Sequence, residues 1–590
     1  MNLIYTGFNI LSAKAVRRFV ILIPVILFGT LLETLSVGMI LPALGILLNG
    51  SFFQEYDIIR TIFPFTEKLL HEKLIIFGLT ALGLVFIIKN LYLFIQIRFQ
   101  GTFVYSAKRE ITLQLLNKYL SKSYIHHLSV NSSLMLRNLT TEINSYCNFF
   151  LMPVVNIITE SLVIIFLLLL IILVEPVGSL LLVISLSLIL LLFVKCTHRL
   201  VGEWGQQRLN AEEKKIKHIQ ECLGAVKPIF LSRNKEYFLK SFNLPNHVSG
   251  LMDKREYIFQ YVPKLGVETI AVCALIMMCL YLLWNGKTYL EITYMLGLMA
   301  SAGFRLIPSF SRILNNYQCL RYGSASVKVL FDEFGDSSTE SSNQIEELKD
   351  NKPQCLLFKE RITFSNVSFS YDKKSKLLDK INLSVSKGST IGLTGSSGSG
   401  KSTFTDLMLG LIELDLGKIE IDGQPLKKRD RSNWFSMIGY VPQDLYILDD
   451  TISRNIAFGL EDEKIDNDRI WEVLNIVNLK FFVEQSQNGV DTLLGEHGAK
   501  LSVGQKQRLG VARALYHDPE ILILDEFTSA LDRDNEQQIL KTFLPLKGKK
   551  TILMITHSSY PLSICDQIYS LEDGKIKLME NDSTPVHAGK

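Results

Sequence analysis

The sequence lacks the patterns that predict a metal-bound or disulfide-linked domain. Its eight cysteines are scattered over 590 residues, and no two of them form a C-x-x-C pair. The spacing therefore argues against a zinc site or a disulfide framework, and we expect reduced thiols. An excess of charge is lacking too, because a net charge of +4 argues against a nucleic-acid partner. We expect no cleavable signal peptide, since the first apolar run is too long for one.

Apolar residues, in contrast, are abundant. They make up 48% of the chain, and the mean hydropathy is +0.23. A soluble protein seldom has a positive mean, so membrane spans are expected. Six apolar segments approach or exceed the roughly 20 residues that a helix needs to cross about 30 Å of hydrocarbon. We predict spans at about 19–48, 74–97, 149–174, 178–194, 258–284 and 289–313.

Charge in the connections predicts the orientation of these spans. The long connections 101–148 and 195–257 are rich in Lys and Arg, whereas the short ones near Glu175 and Asn285 are poor in them. By the positive-inside rule, both termini and both long connections lie in the cytosol, and the spans lie in the inner or plasma membrane. The long connections show helical periodicity, so we expect them to continue the spans and to turn back near 121–127 and 224–231. Residues 49–73 form either a helix on the membrane surface or a hydrophobic loop.

Composition also predicts the domain boundaries. We expect a transmembrane domain at 1–335, a polar linker at 336–360, an α/β domain at 361–577 and a polar tail at 578–590. Little sequence precedes the first span, so we do not expect an N-terminal peptidase domain. The predicted fold class is an all-α six-helix transmembrane domain followed by an α/β phosphate-loop nucleotide-binding domain.

A phosphate loop is the clearest chemical signal. Residues 395–402 fit the pattern G-x-x-x-x-G-K-[ST] at every constrained position. Strand-like residues precede the loop and helix-like residues follow it. A Gly/Ser-rich turn that matched the pattern by chance would not be expected to lie between a strand and a helix. Glycines let backbone N–H groups face a phosphate chain, and the next helix adds its positive end. Lys401 is predicted to reach the phosphates and Ser402 to ligate magnesium. The predicted nucleotide contacts are Gly395, Ser396, Ser397, Gly398, Ser399, Gly400, Lys401, Ser402 and Thr403.

Two acids close an apolar run farther along the chain. Residues 521–524 read as a buried parallel strand, and Asp525 and Glu526 follow at its tip. Asp525 is predicted to hold Mg²⁺, and Glu526 is predicted to polarise the attacking water. A strand of this kind paired with a phosphate loop indicates hydrolysis of a nucleoside triphosphate.

A further motif resembles the signature of ATP-binding cassette (ABC) proteins, which read L-S-G-G-Q. It consists of Leu501, Ser502, Val503, Gly504 and Gln505. Other cassette motifs follow the family order. They are Tyr371 (adenine stacking), Gln443 (magnesium and the γ-phosphate), Ser529, Ala530, Leu531 and Asp532 (the D-loop), and His557 (the γ-phosphate). The resemblance covers 361–577, the six-span half resembles an ABC exporter membrane domain, and together they imply an ATPase that uses Mg²⁺.

Two positions depart from the family pattern. Val503 stands where the signature usually has glycine, and a β-branched residue restricts the backbone there. We expect nucleotide binding with slower turnover. His497 stands in Gly-Glu-His-Gly, where exporters usually have arginine. Histidine weakens a constant positive charge, so the coupling between cassette and membrane domain is in doubt at this position.

The resemblance also implies a partner. In the family, each ATP lies between the phosphate loop of one cassette and the signature of another. This chain has one of each, so it needs a second half-transporter subunit, most simply a copy of itself.

Charges within the predicted spans point to the cargo, because charges are costly in lipid. Short stretches at 32–42, 261–264 and 304–312 resemble the lipid-linked oligosaccharide flippases. This resemblance implies that Lys89, Lys264 and Arg305 face a cavity for an anionic amphiphile such as a lipid-linked saccharide. Internal pairing, such as Lys264 with Glu268, is the alternative. A peptide or hydrophobic drug exporter and an ATP-gated channel or regulator are the other functions considered.

Overall fold

The computed structural model describes residues 3–40, 71–174, 176–284, 286, 289–335, 356–372, 376–529 and 531–579. Within its helices, the side chains of 173–192 and 289–302 are not among those described. The predicted surface segment up to residue 70, most of the predicted linker and most of the tail therefore lie outside the described residues, as does Ala530. Apart from residues 123–125, the described chain divides into two compact units, residues 3–335 and residues 356–579.

The N-terminal unit is helical. Its α-helices are α1 (Leu3–Phe8), α2 (Ala13–Gly38), α3 (His71–Ser121), α4 (Tyr124–Ser129), α5 (Ser132–Arg137), α6 (Ile143–Tyr146), α7 (Met152–Val174), α8 (Pro176–Gly224), α9 (Val226–Ser232), α10 (Lys235–Trp284), α11 (Tyr289–Tyr322) and α12 (Ser324–Gly335). Two π-helical turns, Asn138–Glu142 and Cys147–Leu151, flank α6. Among the described residues, six of the α-helices run for 23 residues or more.

Three of these helices are much longer than a membrane is thick. At about 1.5 Å per residue, the 51 residues of α3 extend for about 76 Å. α8 and α10 are of similar length, with 49 and 50 residues. α3 ends at Ser121 and α8 ends at Gly224, inside the two regions where the sequence predicts turns. Each long connection is thus helical and continuous with a predicted span.

Length and composition mark three helical stretches of the described residues as able to cross a membrane. They are Ala13–Gly38, Ile75–Ser121 and Ser132–Ile172. The predicted spans at 178–194, 258–284 and 289–313 fall within α8, α10 and α11, where part of the side chains is not described. Those three spans stay predictions.

Two apolar clusters hold the helical unit together. In the first, Gly7 of α1 sits against Phe150, where an added Cβ would lie 2.0 Å from the ring. Tyr146 is fully buried and donates its hydroxyl to the carbonyl of Gly7 at 2.8 Å. The second cluster joins α7 to α10 and α11 through side chains such as Leu167, Val267 and Leu306.

The C-terminal unit is α/β. Its strands are β1 (Arg361–Phe369), β2 (Leu378–Ser386), β3 (Thr390–Thr394), β4 (Leu416–Ile421), β5 (Gln424–Pro425), β6 (Ile438–Val441), β7 (Ile521–Asp525), β8 (Thr551–Ile555), β9 (Gln567–Glu572) and β10 (Lys575–Leu578). Its α-helices are α13 (Lys401–Leu409), α14 (Arg431–Ser436), α15 (Ile452–Ile456), α16 (Asn467–Ile476), α17 (Lys480–Glu484), α18 (Val503–Tyr516), α19 (Arg533–Phe543) and α20 (Ser559–Leu562).

The strands form two sheets. The smaller is antiparallel, with the order β2-β1-β4-β5. The larger has the order β10-β9-β3-β8-β7-β6, and all its pairs are parallel except β10 with β9. Residues 521–524 of β7 are fully buried, as expected for a strand covered on both faces. An all-helical domain followed by a phosphate-loop α/β domain is the predicted fold class, which is thereby confirmed.

Candidate nucleotide-binding site

The site residues lie at one edge of the larger sheet. β3, β8, β7 and β6 are neighbours and run parallel, so the segments that follow them meet at their carboxyl ends. The phosphate loop follows β3, His557 follows β8, Glu526 follows β7 and Gln443 follows β6. Ligands of open α/β sheets bind at such an edge.

The phosphate loop adopts a backbone that glycine favours. Gly395 has a φ of +158°, and a Cβ there would lie 2.4 Å from the carbonyl oxygen of Leu571. Gly400 has a φ of +102° and precedes α13, whose N-terminus is capped by no side chain. The hydroxyl of Ser399 is buried without a hydrogen-bond partner among the described residues. Uncapped N–H groups beside an unpartnered hydroxyl fit an anionic ligand such as a phosphate chain.

Lys401 lies at the centre of the site and is only 7% exposed. Its Nζ donates to the carbonyls of Gly395 at 2.9 Å and Ser396 at 3.1 Å. The same Nζ lies 2.9 Å from Nε2 of His557 and 3.9 Å from Oε1 of Glu526. Nε2 of His557 thus lies between the lysine side chain and the carboxylate of Glu526.

Glu526 is held in an unusual backbone conformation. Its φ is +45°, which is costly for a residue other than glycine. Its N–H donates to the carbonyl of Ile555 at 2.8 Å, which anchors it between β7 and β8. Its carboxylate accepts from Nε2 of Gln443 at 3.0 Å and lies 3.3 Å from Nε2 of His557. Four strand ends thus converge on one fixed carboxylate.

Asp525 has two neighbours that the sequence did not reveal. The hydroxyl of Tyr440 donates to Oδ2 of Asp525 at 3.4 Å. Burial, and next the charge of Glu526, raise the pKa of Asp525. Asp406 on α13 is half-buried, and burial followed by the charge of Asp525 raises its pKa to about 6. A cation that neutralises this acidic pair fits the site. The available signal was an acid directly before the apolar run Leu407-Met408-Leu409.

Tyr371 stands beside the phosphate loop. Its ring is 52% exposed and meets Phe369 edge-on at 4.9 Å. Its hydroxyl lies 3.3 Å from Oγ1 of Thr403 in the first turn of α13. An exposed aromatic face at this place can stack on a planar base. Ser396, Ser397, Gly398 and Ser402 are exposed, whereas Thr403 is buried.

The signature residues begin a helix elsewhere in the unit. Ser502 is the N-cap of α18, and its hydroxyl accepts from the N–H of Gln505 at 3.3 Å. Oε1 of Gln505 accepts from the N–H of Ser502 at 2.8 Å, which completes a capping box. Val503 is 52% exposed at the first helical position. In the described part of the chain, no hydrogen bond or ion pair joins 501–505 to 395–403.

The D-loop residues lie next to the signature of the same chain. A Cβ added to Gly504 would be 3.4 Å from Cδ2 of Leu531. Asp532 occupies the N-cap position of α19, and its carboxylate accepts from Nδ2 of Asn535 at 2.5 Å, a bond that lowers the pKa of the Asp532 carboxyl. Ser529 is exposed.

The predicted cavity cations differ in their surroundings. Arg305 forms a two-point ion pair with Glu33, at 2.6 Å and 2.7 Å, and is not a free cation. Nζ of Lys89 lies 4.4 Å from the centre of the Phe86 ring. Lys264 and Glu268 are both exposed, and the pairing considered between them is not observed among the described ion pairs. Glutamate followed by lysine is the more favourable order at this spacing, and here the order is reversed.

Comparison with known proteins identifies relatives of both parts of the chain. Residues 378–529 match the family described as ABC transporter. An ATP-dependent lipid A-core flippase from Saccharophagus degradans is 30% identical over 396 residues, which cover 66% of this chain and 63% of that protein. A multidrug resistance ABC transporter ATP-binding and permease protein from Lactococcus lactis is 36% identical over 258 residues, or 42% of this chain and 43% of that protein. The chain thus matches less than two thirds of the length of either relative.

A solved structure matches almost the whole chain. It is the structure of a bacterial Atm1-family ABC exporter with ATP bound, with a TM-score of 0.77 over 96% of this chain and 95% of that chain. The sequence identity is 19%, so the likeness concerns the fold.

Fold and site together define a membrane protein in which a helical domain precedes one ATP-binding cassette. Residues 378–529 match the ABC transporter family, and the chain has the fold of an exporter-type half-transporter, in which a membrane domain is fused to an ABC cassette. The resemblance predicted from the sequence is confirmed. The cassette family binds ATP.

Proposed function

We propose that this chain is one half of an ATP-driven membrane exporter or flippase that hydrolyses ATP and moves an amphiphilic cargo. The observation that carries the proposal is the convergence of Lys401, His557, Glu526 and Gln443 at the ends of four neighbouring strands. A structural α/β domain does not require a buried lysine, a strained glutamate and a histidine in mutual contact. Those groups suit the binding and hydrolysis of a phosphate chain.

The proposed roles follow from position. The backbone of 395–400 and Lys401 bind the phosphates, and the exposed ring of Tyr371 stacks on the adenine. Glu526 orients and polarises the attacking water, because its carboxylate is fixed by the strand ends. His557 contacts both Lys401 and Glu526. It therefore holds the carboxylate that polarises water in a fixed position relative to the lysine that binds the phosphates.

The same site is proposed to use Mg²⁺. Ser402, Gln443 and Asp525 are the residues that would hold it, since hydroxyl, amide and carboxylate oxygens are its preferred ligands. When bound, Mg²⁺ neutralises charge on the phosphates. The raised pKa of Asp525 reflects burial beside Glu526, and a cation relieves that repulsion.

A second subunit completes the proposed transporter. Residues 501–505 make no polar contact with 395–403 within the described part of this chain, which is consistent with a signature that serves the nucleotide of a partner. A two-fold homodimer is the simplest assembly. We place the cassette in the cytoplasm and the apolar helices in the cell membrane, in accord with the charge of the long connections.

The proposed cargo is a lipid-linked oligosaccharide or another anionic lipid. The relative named as a lipid A-core flippase supports a lipid-like cargo, and Lys89 and Lys264 provide positive charge in the predicted spans. The relative named as a multidrug resistance transporter favours the second candidate, export of a hydrophobic drug. A channel gated by ATP is the remaining alternative.

Reconstituted vesicles test this proposal. The full chain is inserted with a fluorescent lipid-linked oligosaccharide, and flipping and ATP hydrolysis are measured together. We expect both activities in the wild type and neither in Glu526→Gln. Glu520→Gln is the matched control, because Glu520 precedes β7 and pairs with Lys387 at the surface. An unchanged hydrolysis rate in Glu526→Gln contradicts the pump. Hydrolysis stimulated by a drug but not by the lipid favours the second candidate.

A further inference from the structure

Two buried glutamates of the helical unit meet two partly exposed arginines in one cluster. Glu33 on α2 is 6% exposed and Glu160 on α7 is 5% exposed. Arg305 on α11 reaches both acids. Its Nε lies 2.6 Å from Oε1 of Glu33, and its Nη2 lies 2.7 Å from Oε2 of Glu33 and 3.5 Å from Oε2 of Glu160. One guanidinium therefore connects three helices.

The remaining contacts of Glu160 also come from α11. Nη1 of Arg312 donates to Oε1 of Glu160 at 2.7 Å, and the hydroxyl of the fully buried Ser309 donates to Oε2 at 2.7 Å. Residues 305, 309 and 312 recur at the spacing of one helix face. We name Glu33, Glu160, Arg305 and Arg312 the charge clasp.

The clasp is electrically balanced. Two arginines face two glutamates, so the cluster has no positive charge left over for a cargo anion. Breaking a buried pair leaves an uncompensated charge and is strongly destabilising, whereas replacing both partners with apolar groups is often neutral. Arg305 is thus committed to Glu33 and Glu160. Nζ of Lys89, on α3, lies over the Phe86 ring and forms no ion pair with Glu33 or Arg305 among the described residues.

We propose that Arg305 is a positioning residue rather than a cargo contact. It ties α2 and α7 to α11 through the clasp, whereas Lys89, which has no ion-pair partner among the described residues, is the cation that an anionic cargo meets. The second part rests on the proposed function, whereas the first part depends only on the geometry. The proposal changes the role that the sequence resemblance implies for Arg305.

A double-variant cycle on the full chain tests the clasp. Thermal unfolding in detergent is measured for Glu33→Met, for Arg305→Met and for both together, since methionine is apolar, matches glutamate in length and replaces the aliphatic stem of arginine. We expect a lower Tm for each single variant and recovery of most of that loss in the double variant. The matched control is Arg199→Met, which removes an exposed pair with Glu203 and should leave the Tm unchanged. If the single variants keep the wild-type Tm, or if the double variant recovers none of the loss, the proposed stabilising role of the charge clasp is contradicted.

Transport separates positioning from cargo contact. A fluorescent lipid with a saccharide diphosphate head group is flipped in vesicles by the wild type, Lys89→Gln and the double variant. We expect severalfold slower flipping in Lys89→Gln at an unchanged Tm, and near wild-type flipping in the double variant. A stable double variant that flips no faster than Arg305→Met makes Arg305 a cargo contact and overturns the proposal.

If Arg305→Met does not accumulate in the membrane, Arg305→Lys is measured in its place. Lysine keeps the positive charge but loses the two-point geometry of the guanidinium. A positioning role then predicts a lower Tm with flipping retained, and a wild-type Tm contradicts it. If the wild-type chain flips no anionic lipid, the proposed cargo fails, and the unfolding cycle still decides the clasp.

Discussion

The side-chain amine of Lys401 lies 2.9 Å from Nε2 of His557, which joins the loop after β3 to the segment after β8. His557 also lies 3.3 Å from Glu526. The histidine therefore links the group proposed to bind phosphate with the group proposed to activate water.

This link predicts the effect of removing the imidazole. In His557→Ala, we expect the ATP hydrolysis rate to fall by about 100-fold, the lower end of the range for loss of a positioned proton-transfer or orienting group. ATP affinity should change by less than about tenfold, because the loop contacts of Lys401 persist. Steady-state hydrolysis and equilibrium binding of a fluorescent ATP analogue measure the two effects. His517→Ala is the control, since His517 is exposed at the end of α18. Equal losses in both variants would contradict the assignment.

Removal of the buried lysine should act on binding. Lys401→Ala deletes a cation that is proposed to contact phosphate, and a hydrogen bond to a charged group contributes about 1.5–3 kcal/mol. We therefore expect ATP affinity to fall by about tenfold to a hundredfold. Lys418→Ala removes an exposed lysine of β4 that pairs with Glu420, and its affinity should match the wild type. A wild-type affinity in Lys401→Ala would remove this residue from the nucleotide site.

The sequence alone was enough to predict the motifs that consist of contiguous residues. The phosphate loop, the acids after β7 and the signature are each contiguous, so their identity could be recognised without knowledge of the fold. Pairs between distant residues could not be derived in this way. Arg305 and Glu33 are 272 positions apart, and Tyr440 and Asp525 are 85 apart. Only the folded arrangement of α2 and α11, and the pairing of β6 with β7, bring these groups together.

The valine of the signature offers a test of turnover. Val503 is exposed at the start of α18, while the Ser502–Gln505 capping box maintains the helix end. In Val503→Gly, we expect faster ATP hydrolysis, by up to about tenfold or about 1.4 kcal/mol. Glycine also costs about 0.5–1 kcal/mol in a helix, so the Tm should fall slightly. Val503→Ala removes the β-branch but keeps a side chain, and its rate should lie between the two. A rate at or below that of the wild type in Val503→Gly would contradict the prediction.

Asp406 should make stability depend on pH. Burial, and next the charge of Asp525, raise its pKa from 3.8 to about 6 in the folded protein. Between these values the folded state holds a proton that the unfolded chain has lost, so the contribution of Asp406 to stability decreases as the pH rises through about 6. Asp406→Asn cannot ionise. We expect its Tm, relative to the wild type, to be higher at pH 8 than at pH 5 when both are measured without Mg²⁺. Asp449→Asn replaces an exposed acid and should show no such change. The same Tm difference at both pH values for Asp406→Asn would show that this carboxyl is ionised throughout.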